Sequence, residues 1–362
     1  MIYGARLRQA REFSRLTQRA VQVEIGVSQS RWSSAESDAY ELPEIALSKF
    51  ADLTGFPTSF FERPPRIELS GDPLHFRSRS TVSKAELRQA ERAGEIVFEA
   101  AVYLQSQLDG PRLVLPTEPA SETTRLTGLL RQALGLTPTE PARDLLHLLE
   151  HAGVTVVAVP AAATRKDAFS VWLDDRPFVA LLETEAGDRQ TWSLAHEMGH
   201  LLLHRGVGAS RALESEADDF AAELLLPPAA LSKEMPQHPT LQDFAMLKRR
   251  WRVSIAALIR AARRLERIDD DRYHSLFRQM SARGERLREK AAIAPSKPRG
   301  LRAMAEVLYG PTPVRGLADV MHWTLEFAED VMVRHATAEE LPFRRERADT
   351  VVSLDSRRKG TR

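Results

Sequence analysis

The sequence predicts a mostly α-helical chain with one small β-sheet, an α+β fold shared among two or three domains. Three observations lead there. The chain has 362 residues, more than one ordinary core accommodates, and 43% of them are hydrophobic. Apolar residues recur at spacings of three and four over most of its length. Between about residues 154 and 182 that period gives way to three short β-branched or aromatic runs.

Taken in order, Gly4 to Ser14 reads as a helix with Leu7, Ala10 and Phe13 inward. Thr17-Gln18 starts a second helix, with Ala20, Val21, Val23 and Ile25 as its apolar positions. Gly26-Val27-Ser28 is a turn, Gln29 to Ser37 a third helix, and Pro43 opens a fourth with Ile45, Leu47, Phe50 and Leu53. Helix, glycine-containing turn, helix is the unit that reads DNA in the major groove. Charge agrees with that use. Residues 1–35 carry six arginines against Glu12 and Glu24, a net +4, whereas residues 36–65 carry Lys49 and Arg63 against six acids, a net −4.

Residues 74–109 are charged and helical in period, with Leu87, Ala90, Gly94, Val97, Ala101 and Leu104 on one face, until Gly110-Pro111 breaks the run. Amphipathic helices follow at about 122–134 and 141–152, the second closed by Gly153. The three strands of the sheet are 154–159, 169–173 and 178–182. Helices return at 188–206, 214–226, 240–250 and 253–268; residues 291–299 read as a linker, and the tail holds one helical stretch, about 315–335, before a polar basic end. The domain division this suggests is 1–65, a helical linker at 66–123, a second domain at 124–290, and an extension at 291–362.

Composition excludes several chemistries. There is no cysteine, so thiolate metal sites, disulfides and cysteine nucleophiles are absent, and metal ligands must be His, Asp or Glu. Net charge is +1, so any nucleic-acid surface is local. The first residues lack a signal-peptide core and no run of 18 apolar residues occurs. The expectation is a cytoplasmic protein without membrane contact.

One motif carries chemistry. His196-Glu197-Met198-Gly199-His200 places two imidazoles one helical turn apart on one face, where they can hold one ion. Zinc accepts two imidazoles and a carboxylate and keeps a position for water, and Mn²⁺ accepts the same donors. Glu197, beside the first ligand, is placed to take a proton from the attacking water. Gly199 costs roughly 1 kcal/mol against Ala inside a helix and implies that another element comes close there. Fourteen positions after His200, Glu214-Ser215-Glu216-Ala217-Asp218 supplies carboxylates. Glu214 is the third-ligand candidate, Glu216 the alternative, and Asp218 can accept the free imidazole N–H of His196. His204 is read as a helix-end histidine favoured by the C-terminal dipole, a ligand role being the alternative. His147 and His151 are read as a solvated face.

Residues 188–204, DRQTWSLAHEMGHLLLH, followed by ESEADDFAAELLLP at 214–227, resemble the ImmA/IrrE family of metallo-endopeptidases. Residues 247–265, LKRRWRVSIAALIRAARRL, resemble that family's downstream segment, and the likeness spans roughly 124–290. It implies a gluzincin-like zinc site with ligand roles for His196, His200 and Glu214 and the base role for Glu197, all intact. Asp218 stands where many members have Asn. The N-terminal unit resembles the XRE (Cro/C1-type) domain, through Arg31-Trp32-Ser33-Ser34-Ala35-Glu36 of its third helix; Val21-Gln22-Val23-Glu24 departs from the usual small apolar pair. That resemblance implies base contacts from Ser28, Gln29, Ser30 and Arg31 and a phosphate contact from Thr17 and Gln18. His75 and Arg77, in PLHFRSRS, resemble a segment between the domains of such fusions. The function implied is a regulator, acting as a homodimer on a double-stranded DNA operator, whose zinc-dependent endopeptidase domain cuts a helix-turn-helix repressor on a stress or other signal. The alternatives are a non-proteolytic transcription factor that senses a ligand or metal, and a toxin–antitoxin or phage-defence component.

Overall fold

The computed structural model describes residues 1–69, 83–116, 123–161, 167–207, 210–285 and 289–340. His75, Arg77 and the polar basic end lie outside them. Four helices, α1 (Gly4–Phe13), α2 (Gln18–Ile25), α3 (Gln29–Ala35) and α4 (Glu44–Thr54), form the N-terminal unit. Then come the long α5 (Lys84–Gln107), α6 (Thr123–Ala133) and α7 (Leu145–His151), and the strands β1 (Thr155–Ala158), β2 (Ala168–Leu173) and β3 (Arg176–Leu181). Nine more helices are described: α8 (Gly187–Leu203), α9 (Arg211–Leu225), α10 (Pro228–Glu234), α11 (Leu241–Trp251), α12 (Ile255–Arg264), α13 (Asp270–Ala282), α14 (Gly300–Tyr309), α15 (Pro313–Met321) and α16 (Leu325–Arg334). The mostly α fold with one small sheet is therefore observed. Among the described residues no helix is long and apolar enough to cross a membrane.

The N-terminal unit closes around Leu7, Ala10, Val21, Trp32 and Phe50. The periodic reading misplaced two residues: Val23 and Ile45 are both 74% exposed, because short helices bury one stripe and these lie off it. Thr17 caps α2 by accepting the Ala20 N–H at 3.0 Å, and Ser28 caps α3. A charged cluster beneath holds the helices in register: Glu36 accepts from Arg11, from Trp32 Nε1 at 2.7 Å and from Gln18 Nε2 at 2.8 Å.

α5 is the beam on which the molecule is assembled. Its buried carboxylates Glu95 and Glu99 receive Gln9 Nε2 at 2.9 Å and Arg6 at 2.7 Å from α1, and the backbone N–H of Leu69 at 2.7 Å. Arg92 reaches back to Glu12 at 2.8 Å. Its far half packs Phe98 against Phe169 and Phe178 of the sheet, with ring centroids 6.1 and 5.1 Å apart. A Cβ at Gly94 would lie 2.5 Å from the Phe169 ring, so only glycine admits that ring.

The sheet runs β1-β3-β2, with β1 parallel and β2 antiparallel to β3. One face packs on α5, through Phe169 and Phe178; β2 also lies along α8, where Trp172 Nε1 donates to Leu201 O at 2.9 Å. Two regions differ from the periodic reading. The stretch read as a linker, 291–299, is docked: Gly187 donates to Ile293 O at 2.8 Å, and Ser296 and Gln190 exchange two hydrogen bonds. The tail holds three helices rather than one, broken at Gly310 and at His322, and their Leu301, Ala305, Leu317, Val331 and Met332 join the core that contains the N-terminal unit. His147, too, is not a free surface group, since its Nε2 lies 3.0 Å from Lys297 O.

Candidate functional site

α8 and α9 build the centre of interest. α8 carries Asp188 in its first turn, where it takes the buried Lys248 ammonium at 2.7 Å, and it carries His196 and His200 on the face turned toward α9. The helices approach closely because residue 199 is glycine. A Cβ there would sit 3.1 Å from Ala217 Cα and 3.2 Å from Phe220 Cβ. That approach brings Glu214, in the first turn of α9, against both histidines. His196 Nε2 lies 3.0 Å from His200 Nε2 and 3.7 Å from a Glu214 oxygen, and His200 Nε2 lies 3.5 Å from the other. Donors on four-coordinate zinc at bond lengths near 2.1 Å stand about 3.4 Å apart, so this triangle has the size the ion requires. Among the described residues these three form the group able to hold a metal ion.

The outer partners decide which nitrogens face inward. His196 Nδ1 lies 3.0 Å from Asp218 Oδ1, and a carboxylate can only accept, so Nδ1 carries the proton and Nε2 presents a lone pair. His200 has a longer relay. Its Nδ1 lies 3.0 Å from His204 Nδ1, and His204 Nε2 lies 3.0 Å from Glu216. Glu216 accepts, so His204 donates from Nε2 and accepts at Nδ1; His200 therefore donates from Nδ1 and turns its own Nε2 lone pair inward. Burial holds His204 below the usual histidine value, although Glu216 pulls the other way, in keeping with a neutral ring. Two lone pairs and a carboxylate thus converge on one point, an arrangement that a cation stabilises. The local field has the same sign: burial opposes the charge on His196, yet Asp218, Glu197 and Glu214 together raise its pKa.

Glu197 is 3% exposed, and Ser170 on β2 donates to its Oε2 at 2.7 Å. The β2–β3 register carries Ser170 opposite Val179 and turns Phe169 into the core, so one strand fixes both the α5 packing and the carboxylate. His204, Glu216 and Ser170 are the residues that sequence reasoning missed in these roles. The spacing of His204 four after His200 was a signal, but a spacing cannot say which nitrogen meets which partner. Glu216, the alternative third ligand, faces His204 instead.

At the other end, Thr17, Ser28, Gln29, Ser30 and Arg31 are exposed on the N-terminal unit. Gln18 lies beside them, half-buried, with its amide held by Glu36.

A two-histidine, one-carboxylate centre with an adjacent glutamate, joined to a helix-turn-helix unit, defines a peptidase-like regulator. Residues 149–263 match the family model of the IrrE N-terminal-like domain, and residues 2–59 match that of a helix-turn-helix domain. No curated protein matches the chain. The chain is a fusion of these two modules, a DNA-binding domain and a metallopeptidase-like domain.

Proposed function

We propose that this protein is a DNA-bound transcriptional regulator that is also a zinc-dependent endopeptidase, and that it cuts a helix-turn-helix repressor. The observation that carries the reading is the convergence of His196, His200 and Glu214, with tautomers set by Asp218 and His204, beside a buried and oriented Glu197. Zinc, or Mn²⁺ in its place, would be held by those three side chains and would supply Lewis acidity toward water and the scissile carbonyl. Glu197 then accepts a proton from the attacking water on its carboxylate and returns it to the departing amine. Ser170 keeps that carboxylate aimed, leaving its second oxygen for the proton. DNA contact falls to residues 1–65, with Ser28, Gln29, Ser30 and Arg31 toward bases and Thr17 and Gln18 toward phosphate, two copies occupying two half-sites. Catalysis falls to residues 124–290, and α5 and α14–α16 fasten the two together.

The test is Glu197→Gln in the full chain, incubated with candidate repressors and Zn²⁺ and followed by intact-mass analysis of the products. A general base contributes about a hundred- to ten-thousandfold. The variant is expected to keep metal, fold and DNA binding and to lose cleavage. A full signal response in cells from Glu197→Gln, with metal still bound, would leave the non-proteolytic sensor standing instead.

A further inference from the structure

α5 does more than join the modules. A cavity of about 500 Å³ opens where its first two turns meet the N-terminal unit, lined by Arg15, Thr17, Gln18, Arg19 and Gln29 on one side and by Lys84 and Arg88 on the other. Thr17 and Gln18 begin α2 and Gln29 begins α3, so the cavity borders the face that a helix-turn-helix unit turns to DNA. The charges around it are sorted. Arg11 is consumed by Glu36, and Glu12 is buried, held by Arg92 at 2.8 Å and approached by Arg88 at 3.7 Å. Glu86 closes the capping box of α5 and stands 3.9 Å from Arg15. The outward face is mostly cationic: Arg15 and Arg88 make only long pairs, with Glu86 and Glu12, and still expose 49% and 56% of their side chains, and Arg19 and Lys84 are exposed as well. Lys84 and Arg88 are four residues apart, hence on one helix face, and the buried Glu95 and Glu99 contacts fix that helix rigidly to α1.

We propose that Lys84 and Arg88, which lie outside the helix-turn-helix domain, extend its DNA surface by contacting the phosphate backbone of the duplex beside the half-site. The inference rests on the DNA-binding reading and adds a second segment of the chain to it. Cations spread over a face adjoining a recognition helix suit a run of phosphates, and such contacts position a protein without reading sequence. The surface is assembled only when α5 is docked, which ties DNA affinity to the element that also packs on the sheet behind Ser170.

The experiment uses the full chain, a duplex selected by that chain from a random pool, and fluorescence anisotropy at 50 to 200 mM salt. Each phosphate contact contributes about 0.9 to the slope of log affinity against log salt, so Lys84→Ala/Arg88→Ala is expected to flatten the slope by nearly 2. Over that fourfold salt range the wild type then loses about tenfold more affinity than the variant. The selected sequence should not change, whereas Arg31→Ala should alter it. Charge reversal in Arg88→Glu should weaken binding further at low salt, with the melting curve as the check on folding. A slope unchanged in both variants, with sequence-selective binding intact, overturns the proposal alone. Absence of any duplex binding by the wild type overturns the DNA reading together with it.

Discussion

Removing the outer histidine is the sharpest perturbation of the proposed metal centre. His204 is 3% exposed, and its Nδ1 stands 3.0 Å from the Nδ1 of His200, whose side chain is itself 1% exposed. In His204→Ala the buried N–H of His200 loses its acceptor, which costs about 1–3 kcal/mol for a buried donor. The ring can recover that loss by rotating or changing tautomer, and either response turns the Nε2 lone pair away from His196 and Glu214. The same energy expressed in binding is a factor of roughly 5 to 150, matching the 10- to 100-fold typical of lost outer partners of metal-bound histidines. The assay is zinc competition between the full chain and a chromophoric chelator, alongside a thermal melt of the metal-free protein. His204→Ala should weaken zinc by 10- to 100-fold while the melting temperature of the metal-free form moves only a few degrees. Glu216→Gln should have a smaller effect of the same sign, because that carboxylate is 58% exposed and water can take its place. Zinc affinity within twofold of the wild type in His204→Ala would refute the reasoning, since the orientation of His200 would then be set by something else.

Two more outcomes follow from the packing. His335 caps α16, donates Nδ1 to Val331 O at 2.7 Å and accepts the Ala158 N–H of β1 on Nε2 at 3.0 Å, so it pins the tail to the sheet. Burial pushes its pKa down to about 4, against the hydrogen bond to Val331, which favours the proton. The unfolded chain takes up that proton near pH 6.5 and the folded one resists it, so the stability involved is complete above pH 6.5 and is lost as pH falls toward 4. By pH 5 the loss from this group is about 2 kcal/mol, and urea unfolding at pH 7.5 and 5 should show it as a wild-type decrement that His335→Gln lacks. An equal decrement in both proteins would remove His335 from the account. At the helix crossing, Gly199→Val drives branched carbons into the Ala217 backbone and should cost about 1–3 kcal/mol in chemical unfolding, with looser zinc because Glu214 recedes. Unchanged stability would mean that α9 can slide freely.

The sequence alone determined the chemistry available and much of the local structure. Without cysteine, only His, Asp and Glu could bind metal; a spacing of four on a helix put His196 with His200 and made Glu214 and Asp218 their natural partners; Gly199 announced a close neighbour; and the change of period near residue 154 marked the sheet. These are legible because they depend on contacts within a few residues, or on residue type. The tail was not legible in the same way. GLRAMAEVLY at 300–309 has the period of a helix, but its Leu301 and Ala305 find their burial against a core shared with residues more than 200 positions earlier. The sequence favoured Glu214 and left Glu216 as the alternative; the tertiary structure shows the geometry, with α9 rotated so that the first faces the imidazoles and the second faces His204. The tertiary structure alone brought Ser170 from a strand to Glu197, and it made Glu95 and Glu99 of α5 buried acceptors for α1 and for Leu69. The reason is common to all of them: a side chain's partner across two elements depends on crossing angle and rotation, and close packing decides those over the whole core at once.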